Sequence, residues 1–101
     1  MSFAETLQAD RRLVILRLLE QSPGYALNSS ILSTGLDEMG HSVSRDQVST
    51  ELSWLQEQGL VTVETVPTQT KKILVAKLTE RGLDVQAGRA TVPGVKRPSP
   101  I

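Results

Sequence analysis

Residues 44–82 constrain the fold of this chain more than any other segment, because they begin with a helix whose two ends are both marked. Ser44 and Gln47 have the spacing of a capping box, in which each side chain satisfies a backbone N–H of the other residue. Gly59 stands where a helix commonly ends in the left-handed conformation. Apolar residues recur at helical spacing between these ends. The pattern predicts a helix over residues 44–58.

A hairpin and a further helix follow. Residues 60–66 (LVTVETV) alternate apolar and polar side chains with the period of two that a half-buried strand shows. A turn at 67–70 leads to a returning strand over residues 71–78 (KKILVAKL), and Thr79 can cap a last helix that extends to about Ala87. Helix, hairpin and helix in this order form the second half of a winged helix-turn-helix, a shape that can place one helix in a DNA major groove.

The N-terminal part supplies the two other helices that this fold requires. Glu5–Glu20 has helical composition without glycine or proline, and Pro23–Gly24 interrupts the chain. Asn28 can then cap a second helix over Ser29–Met39. We therefore predict an α+β fold that is mostly α: a winged helix-turn-helix with a three-helix core, a two-stranded hairpin wing and a short C-terminal helix.

The first helix and the C-terminal segment are the places where a second copy of the chain could bind. Leu13 and Leu16 lie outside the main apolar face of the first helix. Either the C-terminal helix of the same chain covers them, or they form a homodimer contact together with the C-terminal segment. We expect residues 1–88 to form the domain and residues 89–101, rich in proline, glycine and basic residues, to form a flexible tail.

Charge and cysteine content narrow the classes of protein. The 11 basic and 11 acidic residues give a net charge of zero, whereas DNA-binding domains are usually basic. The absence of cysteine excludes disulfides, thiolate metal sites and a cysteine nucleophile. No apolar run approaches the ~20 residues that cross a bilayer, and no secretory-signal pattern opens the chain. We expect a cytoplasmic protein with no membrane partner.

Motifs for catalysis and cofactor binding are missing. The sequence contains neither a G-x-S-x-G elbow nor a glycine-rich phosphate loop. His41 follows Asp37 and Glu38 as D-E-x-x-H, but a zincin site needs histidine at both ends of that pattern on one helix. A histidine in an interhelical turn is the better interpretation. We predict no enzymatic activity, no cofactor and no metal site.

The polar face of the third helix is the candidate DNA-reading surface. Serine, threonine and glutamine can hydrogen-bond base edges or phosphates, and an arginine in the first turn can bind either. Asp46 and Glu57 share this face and would be repelled by phosphate. The same residues could instead be only the solvated face of an amphipathic helix. The candidate contacts are Arg45, Gln47, Ser49, Thr50 and Ser53.

Two lysines mark the predicted wing. Lys71 and Lys72 could hold a phosphate backbone, or they could protect the edge of the hairpin against aggregation. Trp54 could stack on a base, but its place beside the apolar stripe of the third helix favours packing against the hairpin.

Three stretches carry a family resemblance: VSRDQVSTELSWL (43–55), QGLV (58–61) and KLTERG (77–82). They resemble the ArsR/MarR-like winged-helix transcriptional regulators of bacteria over roughly residues 10–88. The resemblance implies that helix 44–58 is the recognition helix, that the candidate contacts on it face DNA, and that Lys71 and Lys72 sit on the wing. The chain also resembles small winged-helix proteins of Mu-like prophages.

Two functions compete on this evidence. The first is a dimeric, sequence-specific transcriptional regulator that binds double-stranded DNA with helix 44–58 in the major groove and the wing on the backbone. The second is a winged-helix protein-interaction module, such as a phage accessory factor, which the neutral charge and the acidic groups of the third helix would suit. The basic groups of the wing favour the first.

Overall fold

The computed structural model describes residues 2–99 and has an α+β winged-helix fold. Four helices surround a small antiparallel sheet, and a short 3₁₀ turn precedes the first strand. The predicted fold class is confirmed. No helix within residues 2–99 is long and apolar enough to span a membrane. The elements are α1 (Phe3–Glu20), β1 (Ala26–Asn28), α2 (Ser29–Glu38), α3 (Arg45–Glu57), β2 (Val61–Pro67), β3 (Lys72–Leu78) and α4 (Glu80–Gln86).

The helices begin at the caps that the sequence marks. The Ser44 hydroxyl accepts the backbone N–H of Gln47 at 3.2 Å, and the Gln47 side chain accepts the N–H of Ser44 at 2.9 Å. Asn28 caps α2 and Thr79 caps α4 through the same type of bond. Ser2 caps α1 in a capping box, so this helix begins two residues earlier than predicted. These caps fix where the helices start relative to the sheet.

The sheet contains one strand more than predicted. Its order is β1-β3-β2, and β1 pairs with β3 through the register Leu27↔Ala76. Three residues are too few to show a period-two pattern, so no strand could be predicted here. Gly24 (φ 67°) and Tyr25 (φ 58°) make the turn that brings β1 alongside β3. The wing is therefore anchored to the α1–α2 connection.

The core contains both leucines that we considered for a dimer contact. Leu13 is 2% exposed and Leu16 is fully buried within one chain. The prediction that they form a homodimer interface is wrong, because α1 packs on α4, α2 and β3 of the same chain and these elements cover it on several sides. The core is mainly leucine, with Ile15, Leu19, Leu32, Leu36, Leu52, Leu55 and Leu60 fully buried.

The segment after α4 packs on the domain, although we expected a flexible tail. Val92 and Val95 are 5% and 7% exposed, and the backbone N–H of Lys96 donates to the carbonyl of Ala9 at 3.1 Å. Two valines are enough to bury apolar surface when a tight turn brings them together. Residues 92–97, which we call the C-terminal strap, cross the first half of α1.

Candidate nucleic-acid interface

A cleft opens between the start of α2, the first half of α3 and the tip of the hairpin. Its volume is about 390 Å³. Asn28 and Ser44 set the starts of α2 and α3, and the β2–β3 hairpin brings its tip to the same place. We call it the wing cleft. The polar and charged residues that matter here are Ser29, Arg45, Asp46, Ser49, Lys71 and Lys72.

Three cations in the wing cleft have no carboxylate partner among the residues that the structure describes. Arg45, Lys71 and Lys72 are exposed and take part in none of the ion pairs within residues 2–99. Arg45 also lines a second cleft of about 340 Å³ between α2 and the turn before α3. An exposed cation without a partner is free to bind an anion at low desolvation cost.

Four of the seven predicted contact residues meet at this cleft, namely Arg45, Ser49, Lys71 and Lys72. Gln47 is engaged differently, because its side-chain oxygen accepts the Ser44 N–H in the α3 cap. Thr50 and Ser53 are exposed on α3 but do not line the cleft. The role of all seven residues as DNA contacts stays a prediction.

The acidic groups of α3 fall in different environments. Glu51 is 2% exposed and is held by Arg11 at 3.1 Å and Arg12 at 2.9 Å, so its charge is compensated inside the protein. Asp46 lines the wing cleft. Glu57 is exposed at the far end of the helix, about 18 Å along the axis from Arg45 at 1.5 Å per residue. Among the acidic residues of α3, only Asp46 therefore lines the wing cleft with the three cations, while Asp37 of α2 lies with Arg45 at a second cleft.

The tip of the wing is closed by a threonine. The Thr68 backbone N–H donates to the Lys71 carbonyl at 2.7 Å, and the Thr68 hydroxyl accepts the Lys71 N–H at 3.0 Å. These bonds occupy the backbone of the tip and leave the ammonium groups of Lys71 and Lys72 outside it. The wing therefore presents two cations on a closed turn.

Trp54 is partly buried and is covered by residues of α1 and of the C-terminal strap. The Arg12 guanidinium stacks over its ring at 3.7 Å from the centroid, and the ring approaches Gly94 of the C-terminal strap. The predicted packing surface, the hairpin, differs from these contacts, which come from α1 and the strap. Because the guanidinium occupies one face of the ring, these contacts favour packing within the chain over stacking on a base.

His41 is a buried residue of the α2–α3 turn. It is 6% exposed, and its Nε2 donates to Asp10 Oδ2 at 2.7 Å, while Lys96 Nζ lies 3.3 Å from Asp10 Oδ1. Partial burial raises the pKa of Asp10, but hydrogen bonds from His41 and Lys96 and the charges of both outweigh burial and hold this pKa below 3.8. The histidine thus connects the turn before α3 to α1.

Sequence reasoning missed two parts of this arrangement. Ser29 and Ser30, in the first turn of α2, line the wing cleft. The cap at Asn28 located that turn, but nothing in the local pattern placed it beside the wing. Arg11 and Arg12 were not connected with α3, since Glu51 lies about forty residues further along the chain.

Comparison with known sequences finds a relative over nearly the whole length. The uncharacterized protein gp26 of Escherichia phage Mu is 52% identical over 96 residues, which is 95% of either protein. No protein-family model matches the chain.

Solved structures with the same fold are transcriptional regulators. The MarR-family regulator AbsC of Streptomyces coelicolor has a TM-score of 0.62 and 26% identity, over 75% of this chain and 47% of AbsC. Bacillus subtilis PadR, solved in complex with operator DNA, has a TM-score of 0.64 and 22% identity, over 86% of this chain and 53% of PadR. The chain thus spans about half the length of either regulator.

Proposed function

This chain belongs to the same protein family as gp26 of Escherichia phage Mu, and we propose that it is a sequence-specific DNA-binding transcriptional regulator. The observation that carries the proposal is the wing cleft, where Arg45, Lys71 and Lys72 converge without carboxylate partners in residues 2–99. The likeness in fold to regulators, one of them solved with operator DNA, supports it. The relative in phage Mu also supports an origin in a Mu-like prophage.

In this proposal α3 enters the major groove and the wing follows the backbone. Ser49, Thr50 and Ser53 present hydroxyls that can bond base edges, and Gln47 keeps its amide N–H groups for the same purpose while its oxygen closes the cap. Arg45 stands in the first turn of α3, where either a base edge or a phosphate is in reach.

The phosphate contacts come from three separate elements around one cleft. Lys71 and Lys72 supply charge from the wing, and Arg45 supplies it from α3. The first turn of α2 adds the hydroxyls of Ser29 and Ser30, which can donate to phosphate oxygens. Contacts from three elements would fix the register of α3 against the bases.

We also propose that the protein binds DNA as a homodimer. Three cations are few for one protomer, and a second copy would double them and set two half-sites about 34 Å apart. The contact cannot use Leu13 and Leu16, which are buried. Phe3 and Leu7, one helical turn apart on α1, are 77% and 39% exposed and offer an apolar surface for this contact.

A binding titration with labelled duplexes from the region upstream of the gene tests the regulator. The expected result is saturable binding to one duplex at low salt and at least tenfold weaker binding to a scrambled duplex of the same base composition. Equal affinity for both duplexes would remove sequence specificity. Absence of binding at low salt would remove DNA binding and leave the protein-interaction alternative.

A further inference from the structure

We propose that α1 and the C-terminal strap form a positioning device for α3, in which Asp10, Arg11, Arg12, Gly94 and Lys96 set the orientation of this helix without touching DNA. The inference rests on the proposed function, because orientation of α3 matters for DNA binding. It accounts for a group of charged residues that do not line the wing cleft.

The first contact is a buried carboxylate held by two arginines of α1. Glu51 Oε2 accepts from Arg11 at 3.1 Å and Glu51 Oε1 from Arg12 Nε at 2.9 Å, with the carboxylate side chain only 3% exposed. Arg11 Nε is buried without a hydrogen-bond partner among the described residues. A buried ion pair with an unsatisfied donor contributes little net stability, and its clearest use is to select one arrangement. Here it selects the rotation of α3 against α1.

The second contact lies one turn further along α3. Arg12 stacks on the Trp54 ring at 3.7 Å and donates from Nη1 to the carbonyl of Gly94 at 3.2 Å. One guanidinium therefore touches α3 twice and the C-terminal strap once. Because the strap crosses both Arg12 and Trp54, its docking and the position of α3 are coupled.

The third contact holds the turn that precedes the N-terminus of α3. His41 in the α2–α3 turn donates to Asp10, and Asp10 in turn accepts from Lys96 of the strap at 3.3 Å. The strap backbone is also fixed to α1 by the bond from Lys96 to Ala9. The turn before the Ser44 cap and the Trp54 region of α3 are thus held by the same two elements, α1 and the strap.

The coupling has a consequence for DNA binding. The side chains that we propose to read bases all stand on α3, so a small rotation of the helix about its axis would move them together. By thermodynamic linkage, a strap that favours the DNA-binding orientation must itself be stabilised when DNA binds. Trp54, the only tryptophan, reports on the strap and on α3 at once.

Gly94→Ala tests the device in the full chain. Gly94 has a φ of +98°, and an added Cβ would lie 2.9 Å from both Arg12 Nη1 and Trp54 Cζ2, so the strap and the Arg12–Trp54 pair cannot keep their present contact. Gly24→Ala is the matched control, because Gly24 also has a positive φ (+67°) but an added Cβ meets nothing within 4 Å. Lys96→Ala is a milder second variant at a side chain that is 49% exposed.

Three readouts decide the outcome: operator affinity, Trp54 fluorescence and amide hydrogen exchange of each helix. We expect Gly94→Ala to weaken binding about fivefold or more, to shift the Trp54 emission to the red and to accelerate exchange in α3 more than in α2. Lys96→Ala should do the same to a smaller extent, and Gly24→Ala should match the wild type in affinity and in the exchange of α3. Wild-type Trp54 emission should also change when DNA binds.

The inference is overturned if Gly94→Ala keeps native affinity and native exchange in α3, or if exchange accelerates equally in all helices, which would indicate a merely structural role. If the wild type binds no DNA, the proposed function fails, and hydrogen exchange alone decides the positioning device. Selective acceleration in α3 of Gly94→Ala relative to Gly24→Ala then supports the device, and equal exchange refutes it.

Discussion

The two sides of α3 differ in whether their charged side chains are paired. On the inner side, Glu51 is buried and both of its oxygens are bound by arginines of α1. On the outer side, Arg45 is exposed, and neither it nor the lysines of the wing pairs with a carboxylate among residues 2–99. The same helix thus satisfies its charges completely on one side and leaves them open on the other.

This difference shows why the net charge of the chain does not describe the charge at the wing cleft. The net charge is zero because the basic and acidic residues balance over the whole chain, but the charge of Glu51 is buried and is compensated by Arg11 and Arg12 inside the protein. The charge that a nucleic acid would meet is the local one of the wing cleft, with three cations and Asp46. Local, unpaired charge is the relevant quantity for phosphate binding.

The largest expected effect is a loss of stability when the buried carboxylate on the inner side of α3 is removed. Glu51→Ala leaves two arginines near a buried position without their carboxylate and should lower the free energy of unfolding by about 3 kcal/mol. Urea denaturation measures this. Glu57→Ala, an exposed glutamate of the same helix, is the control and should change stability by less than about 0.5 kcal/mol. Equal effects of the two variants would contradict the distinction between the sides.

The second-largest expected effect is a loss of DNA affinity when the exposed arginine on the outer side of α3 is removed. Arg45→Ala should weaken binding to operator DNA about tenfold, which corresponds to about 1.4 kcal/mol, while stability stays within about 0.5 kcal/mol because the side chain is exposed. Fluorescence anisotropy gives the affinity and urea denaturation the stability. Arg17→Ala removes an exposed cation of α1 that lies outside the wing cleft. This control should bind DNA like the wild type.

A smaller effect of opposite sign sharpens the comparison. Asp46→Asn removes the one carboxylate that lines the wing cleft and should strengthen DNA binding severalfold. It should also lower stability by about 0.5 kcal/mol, because Asp46 stands in the first turn of α3, where the helix dipole favours an anion. Anisotropy at constant salt measures the gain. Unchanged or weaker binding would show that Asp46 does not face the phosphates.

The smallest expected effect is the pH dependence of stability that Asp10 of α1 causes. Because the pKa of Asp10 lies below 3.8 in the folded chain, its contribution to stability is complete above that value and is lost as the pH falls through the folded pKa. Stability measured by urea denaturation should therefore decline below about pH 4. Asp10→Asn should make this decline shallower, and Lys96→Ala should give an intermediate slope. A decline identical in all three proteins would exclude Asp10 as its source.

What could be predicted from the sequence was local. The caps at Asn28, Ser44 and Thr79 were identified because the groups that make a cap lie within three residues of each other. Four of the predicted contact residues line the wing cleft, and they could be chosen because the positions of the third helix and the hairpin were predicted.

What could not be predicted depends on distance along the chain or on very short patterns. Glu51 was seen as one more acidic residue, because its partners Arg11 and Arg12 stand about forty positions earlier. Strand β1 has three residues, too few for a period. The strap was mistaken for a flexible tail, since two valines among prolines and glycines carry no periodic signal, and their burial depends on the core that other elements form.

The salt dependence of operator binding tests the central claim most directly. The logarithm of the wild-type affinity should fall linearly with the logarithm of salt concentration, and the triple variant Arg45→Ala, Lys71→Ala, Lys72→Ala should reduce the magnitude of this slope by about three per bound protomer. A wild-type affinity that does not change with salt, or a triple variant with the wild-type slope, would contradict the assignment of the wing cleft to phosphate binding.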